Sequence, residues 1–153
     1  MSYHVTVTTA SPRPIAAVRI RLDVRTVPAR FGESLDQVYA AARAGHVALD
    51  GQNVFVYRDT GTPWEVDADF GVGATTPFEP VGNVTPVLTP TGEVAITTHR
   101  GGYSGLREAH MAVRRWCAEH DRQLTGTRWE IYGHWVPDES QLTTDICYLL
   151  APA

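Results

Sequence analysis

The sequence predicts an α+β fold made of two similar units, each running strand, helix, hairpin, with helices on one face of an antiparallel sheet. Three observations predict it. Short β-branched runs alternate with clusters of turn residues. Two segments carry the three/four spacing of an amphipathic helix, and each is followed by a pair of strand-like runs. The halves, about 1–80 and 81–153, repeat that order within a single domain of 153 residues, long enough to bury a sizeable core.

The elements follow in order. YHVTVTT (3–9) alternates like a strand and is interrupted by Pro12 and Pro14. IAAVRIRL (15–22) resumes as a second strand, and VPARFG (27–32) reads as a loop. Ser34 with Gln37 three residues on fits a capping box. Leu35, Val38, Ala42 and Leu49 share the stripe of the helix it opens, and Gly45 weakens or ends it. NVFVY (53–57), the turn DTGTP (59–63) and WEVDADFGVGA (64–74) make a hairpin. Residues 75–92, rich in Pro, Gly and Thr, link the halves, with a short edge strand at Val84–Leu88. EVAITTH (93–99) is a strand. The second helix lies within 101–124, where Leu106, Ala109, Val113, Trp116 and His120 keep helical spacing. Ser104 is its expected cap and Gly126 its expected stop. TRWEIYGHW (127–135) and LTTDICYLLA (142–151) are strands around the turn VPDESQ (136–141).

Aligned on this order, Tyr57 corresponds to Tyr132, Asp69 to Asp145 and Phe55 to Glu130. The offsets differ by one residue, which a turn of different length absorbs. Duplication implies an internal pseudo-two-fold and a cleft where the halves meet. A carboxylate then breaks the symmetry at one position.

The net charge of −4 and the lack of a basic stripe argue against direct nucleic-acid binding. No apolar run is long enough to cross a bilayer, and the N-terminus lacks the basic start and apolar stretch of a signal peptide. A cytoplasmic protein is expected. Two cysteines, Cys117 and Cys147, are too few for a disulfide framework and are expected as free thiols.

Several motif-like stretches fail on spacing. GGYSGL puts Leu106 where a nucleophile elbow needs glycine. Cys117 and His120 lack a second pair to complete a metal site. GVGATT (71–76) lacks the Lys of a phosphate-binding loop. No metal and no cofactor are implied.

RWEIYGHW (128–135) is more informative. Strand alternation puts Trp129, Ile131, Gly133 and Trp135 on one face and Glu130, Tyr132 and His134 on the other. If the first face packs against the helices, Glu130 and Tyr132 look away from them, toward solvent or a ligand groove. The plainer reading is a solvated Glu130, or one paired with Arg58 or Arg128. A carboxylate among aromatics would otherwise select lipophilic cations that stack on the rings. Held away from water, it would serve instead as a general acid or base.

HRGGYSGL (99–106), a helix ending near Trp116, and WEIY (129–132) together resemble the GyrI-like small-molecule-binding domain. The same domain is the effector-binding half of multidrug-sensing transcription regulators of the BmrR and Rob types. The resemblance spans nearly the whole chain. It implies two SHS2-type units whose concave sheet surface is the ligand groove. It assigns ligand contact to Glu130 and aromatic roles to Tyr103 and Tyr132. Some stand-alone members resemble hydrolases that open cyclopropane-bearing electrophilic toxins, and others bind DNA gyrase. The first half departs from the pattern, with VPARFG and Phe31 where the Gly-x-Tyr turn would stand.

The leading expectation is a domain that binds hydrophobic, aromatic or cationic small molecules. Glu130 is its polar floor, and Tyr57, Tyr103, Tyr132, Phe55, Trp64 and Tyr148 line the groove. The alternatives are a hydrolase using Glu130 and Tyr103 on strained electrophiles, and an inhibitor of a protein partner such as gyrase. Since the repeat consumes these residues, no helix-turn-helix is expected among them. Any role in transcription would run through a protein partner or a second copy of the chain.

Overall fold

The computed structural model describes residues 2–153. The elements are β1 (Thr6–Ala10), β2 (Pro14–Asp23), α1 (Val27–Arg43), β3 (Leu49–Asp59), β4 (Glu65–Ala74), β5 (Val84–Leu88), β6 (Gly92–Arg100), α2 (Leu106–Glu119), β7 (Leu124–Tyr132) and β8 (Thr143–Leu150). The chain forms two compact units. One is Pro12–Thr89; the other combines Pro90–Ala153 with the N-terminal segment up to Ser11. All the strand pairs within them are antiparallel.

Both units have the same internal strand order, β5-β2-β4-β3 in the first and β1-β6-β8-β7 in the second. β1 pairs with β6, placing Val7 opposite Ala95. β5, which precedes β6 in the chain, pairs instead with β2, placing Val84 opposite Val18. The second unit thus takes its outer strand, β1, from before the first unit's sequence, whereas β5 is continuous with the first unit.

The duplication extends to irregularities. β3 slips register against β4 between Leu49 and Asn53, and β7 slips against β8 between Leu124 and Arg128. A glycine with positive φ sits inside each slip, Gly51 at 81° and Gly126 at 91°. Such a bulge needs a residue that tolerates the left-handed region. The register then makes Phe55, opposite Phe70, equivalent to Glu130, opposite Ile146. Tyr57 matches Tyr132 and Asp69 matches Asp145 in the same way, as the sequence alignment expected.

α1 starts at Val27, so the segment expected as a loop is helical. Pro28 occupies the first turn, where its fixed φ suits the helix and its missing N–H has no partner to lose. Ser34 is buried inside the helix rather than capping it, and Leu49 opens β3. The helix closes as a Schellman motif: the His46 amide donates to the Ala41 carbonyl and the Gly45 amide to that of Ala42, with Gly45 at φ 85°. α2 closes likewise through Arg122 to Cys117, with Asp121 at φ 54° taking the glycine's place. Gly126 is therefore a bulge residue, not the helix stop. Ser104 sits in a 3-10 turn, Tyr103–Gly105, and makes no side-chain cap to α2.

In the first unit the face toward α1 holds Phe55, Tyr57 and Phe70. Phe31 of α1 lies 5.5 Å from Phe55, and Phe70 meets Phe55 and Tyr57 edge-on. Tyr39 of α1 donates from its hydroxyl to Asn53 at 2.8 Å. On the opposite face Asp69, fully buried, accepts from Arg19 and Arg58. Its counterpart Asp145 accepts from the Thr98 hydroxyl at 2.7 Å. Cys147, two residues further on, is buried, and desolvation with the Asp145 charge pushes its thiol up to about 12. Among the described residues no helix is long and apolar enough to cross a membrane.

Candidate functional site

The face on which Glu130 lies is settled by register. Directly opposite residues of an antiparallel pair share a face. Glu130 is opposite Ile146, Arg128 opposite Tyr148 and Tyr132 opposite Thr144. Ile146 and Tyr148 pack in one core cluster with Ala109, Val113 and Cys117 of α2. Glu130 and Tyr132 therefore point to the helix side of the sheet. The expectation that they look away from the helices, with a groove on the opposite side, is reversed. Trp129 does take the other face, where it is buried. The strand stops at Tyr132, so Trp135 lies beyond it and is 70% exposed rather than core.

Glu130 is neither solvated nor held by Arg58. It is 7% exposed, and Arg58 is committed to Asp69. The Glu130 Oε1 accepts from the Tyr132 hydroxyl at 2.9 Å, and Oε2 lies 2.7 Å from Nε2 of His110 on α2. The other imidazole nitrogen, Nδ1, is 2.7 Å from the Tyr148 hydroxyl, which accepts from Nε of Arg114 at 3.1 Å. Roles follow from chemistry. An ionised carboxylate only accepts, so Nε2 donates to Glu130; in a neutral ring Nδ1 is then the acceptor, and the Tyr148 hydroxyl donates to it while its oxygen accepts from Arg114. The chain Arg114–Tyr148–His110–Glu130 is satisfied at every contact with a neutral imidazole. Burial pushes the Tyr148 phenol upward, opposed chiefly by the hydrogen bond from Arg114.

The turn before α2 brings in a second aromatic. Tyr103 meets Tyr132 edge-on at 5.4 Å and is 43% exposed. His99 anchors that turn, accepting from the Tyr3 hydroxyl at Nδ1 and donating from Nε2 to the Gly102 carbonyl, each at 2.8 Å. A Cβ at Gly105 would stand 2.7 Å from the His99 ring, which is why this tight entry needs glycine.

Of the residues expected around a groove, the second unit gathers Glu130, Tyr132, Tyr103 and Tyr148. Tyr148 is 3% exposed and stands behind His110 rather than at the surface. Phe55 and Tyr57 belong to the first unit, buried about Phe70 on its helix face. Trp64 lies beside the β3–β4 turn, 58% exposed, with φ 67° and the Arg25 guanidinium 4.6 Å over its ring. Cys117 is a core thiol, and His120 stacks on Trp116 at 4.1 Å.

Sequence reasoning missed His110 and Arg114. The signal was present. His110 falls between Ala109 and Val113 and four residues after Leu106, inside the apolar stripe of α2, and Arg114 follows it by four. A polar ring on a core-facing stripe requires a buried partner, and Glu130 with Tyr148 supplies it.

Two strand–helix–hairpin units, with a shielded carboxylate set among phenols, define a duplicated α+β domain. The chain matches the GyrI-like small molecule binding domain over residues 4–150 and belongs to that family. Among solved structures it is similar to the EcmrR C-terminal domain, at 17% identity and TM-score 0.74, with both chains fully covered. In the EcmrR–DNA complex the values are 17% and 0.79 over 99% of this chain, which spans 58% of that one. SAV2435 bound to tetraphenylphosphonium matches at 8% identity and TM-score 0.70, covering 99% of this chain and 94% of that one. A hydrolase from Listeria innocua matches at 11% and 0.65, covering 98% and 93%. At these identities the likeness is one of fold. No curated protein matches the chain.

Proposed function

We propose that this domain binds lipophilic cations on the helix side of the second unit's sheet, with Glu130 as the countercharge and Tyr132 and Tyr103 as aromatic walls. The carrying observation is the carboxylate itself. A glutamate 7% exposed stands where the equivalent position of the first unit is Phe55, and a shielded carboxylate among phenols is costly for a plain core to keep. Phenol faces beside a carboxylate suit a cation whose charge is spread over apolar groups. The cation in SAV2435 is of that chemistry and supports the choice of probe.

Tetraphenylphosphonium is expected to bind saturably, with a dissociation constant near the micromolar range, roughly −8 kcal/mol. Tryptophan and tyrosine fluorescence or calorimetry measures it directly. Absence of saturable binding at millimolar cation overturns the reading.

The His110–Glu130–Tyr132 hydrogen bonds favour a second reading, proton transfer during opening of a strained electrophile. Turnover of a cyclopropane-bearing compound, followed by mass spectrometry, separates it from binding alone.

A further inference from the structure

The second unit buries a polar atom that nothing in it satisfies. Thr144 of β8 is fully buried, and its Oγ1 has no hydrogen-bond partner among the described residues. Buried hydroxyls are ordinarily paired, and an unpaired one lowers stability. We propose that Thr144 is a hydrogen-bonding subsite of the ligand site, taking an uncharged hydroxyl or carbonyl oxygen carried on an aromatic ligand. It rests on the ligand-facing role given above to Tyr132 and Tyr103.

Register places the hydroxyl among the aromatic walls. β8 is the inner strand between β6 and β7. Thr144 lies directly opposite Tyr132 on β7 and directly opposite His99 on β6, so all three side chains share the helix face. Tyr132 in turn meets Tyr103 edge-on at 5.4 Å. Glu130, opposite Ile146, is the diagonal neighbour of Thr144, roughly 7–8 Å along the sheet. One substituted phenyl ring spans that distance.

The polar atoms of both neighbours are engaged elsewhere. His99 accepts from Tyr3 at Nδ1 and donates from Nε2 to the Gly102 carbonyl. The Tyr132 hydroxyl donates to Glu130. Valine fills nearly the same volume as threonine and leaves no orphan, so packing alone does not account for the hydroxyl. A threonine hydroxyl both donates and accepts, which suits a neutral oxygen rather than a charge. It is already out of water in the free domain, so a ligand oxygen gains the contact without that loss. Tyr103, half-exposed on the 3-10 turn Tyr103–Gly105 rather than on a strand, is the wall whose outward turn admits the ligand.

The test compares two phosphonium cations of nearly one shape by calorimetry. Both are triphenylphosphonium ions with a fourth aryl arm, para-(hydroxymethyl)phenyl in one and para-ethylphenyl in the other. Wild type is expected to bind the hydroxymethyl cation about tenfold more tightly, the weight of one well-made hydrogen bond. Thr144→Val is expected to bind the two equally, and Thr144→Ser to keep the preference. Thermal unfolding gives a second reading that needs no ligand. With the orphan removed, Thr144→Val is expected to melt about 2–4 °C above wild type. No preference in wild type, or the same preference in Thr144→Val, overturns the subsite while leaving the binding site intact. A lower melting temperature or failure of Thr144→Val to fold overturns it too, because the hydroxyl then has a partner in the free domain, such as an internal water. Absence of saturable binding of either cation overturns the binding reading beneath it, and the subsite with it.

Discussion

Glu130→Gln is expected to weaken tetraphenylphosphonium binding ten- to a hundredfold, while triphenylphosphine oxide changes little. Opposite unit charges about 5 Å apart at an effective dielectric of about 20 attract by about 3 kcal/mol. Part of that is offset by removing the carboxylate and the cation from water, which leaves roughly 1.4–2.8 kcal/mol. The substitution is chosen because it removes the charge at nearly constant shape. The introduced amide oxygen accepts from Tyr132 as Oε1 does, and its NH2 donates to His110 Nε2. The imidazole then carries its proton on Nδ1 and donates to the Tyr148 oxygen, which also accepts from Arg114, so the Tyr148 hydroxyl proton turns away from the ring. Thermal unfolding should confirm a folded variant. Equal cation affinity in both proteins would remove Glu130 from the binding role.

Phe70→Ala is expected to be the most damaging truncation in the first unit, at about 3–5 kcal/mol. Phe70 is fully buried. It holds Phe55 at 5.0 Å and Tyr57 at 6.2 Å, both edge-on, so two aromatic contacts vanish with the ring and a cavity replaces it. Against a total stability of about 5–15 kcal/mol, this is a large fraction. Urea denaturation measures it as a fall in midpoint with an unchanged slope. A cost under about 1 kcal/mol would show that the cluster about Phe70 is not the core of that unit.

Much of the fold was legible because the chain states it twice. The register equates Phe55 with Glu130 and Gly51 with Gly126, and the alignment of Tyr57 with Tyr132 followed from sequence pattern. The placement of the outer strands was not legible. β1 and β5 carry no local mark of which sheet they join, since pairing partners are chosen by tertiary context. Helix ends were missed where the chemistry is interchangeable: Asp121 takes the left-handed position that glycine usually holds, and Pro28 begins a helix where a turn was expected.

The site was legible in its acid but not in its orientation. Alternation separates Glu130 from Trp129 but does not say which face meets the helix. Hydrophobicity misled because Trp129 and Cys147 are buried on the far face as well. A carboxylate on the helix side is held there by His110 and Tyr132, among its partners. His110 lay hidden as one polar residue in an apolar stripe, and its pairing with Glu130, 20 residues on, is a tertiary fact.

A crystal structure of the complex with tetraphenylphosphonium tests the location most directly. The cation is expected beside the Glu130 carboxylate, on the helix side, with Tyr132 and Tyr103 against its rings. A cation seated elsewhere, such as the apolar cavity of about 250 Å³ lined by Pro14, Ile15, Phe78 and Pro86, with Glu130 untouched, would contradict it.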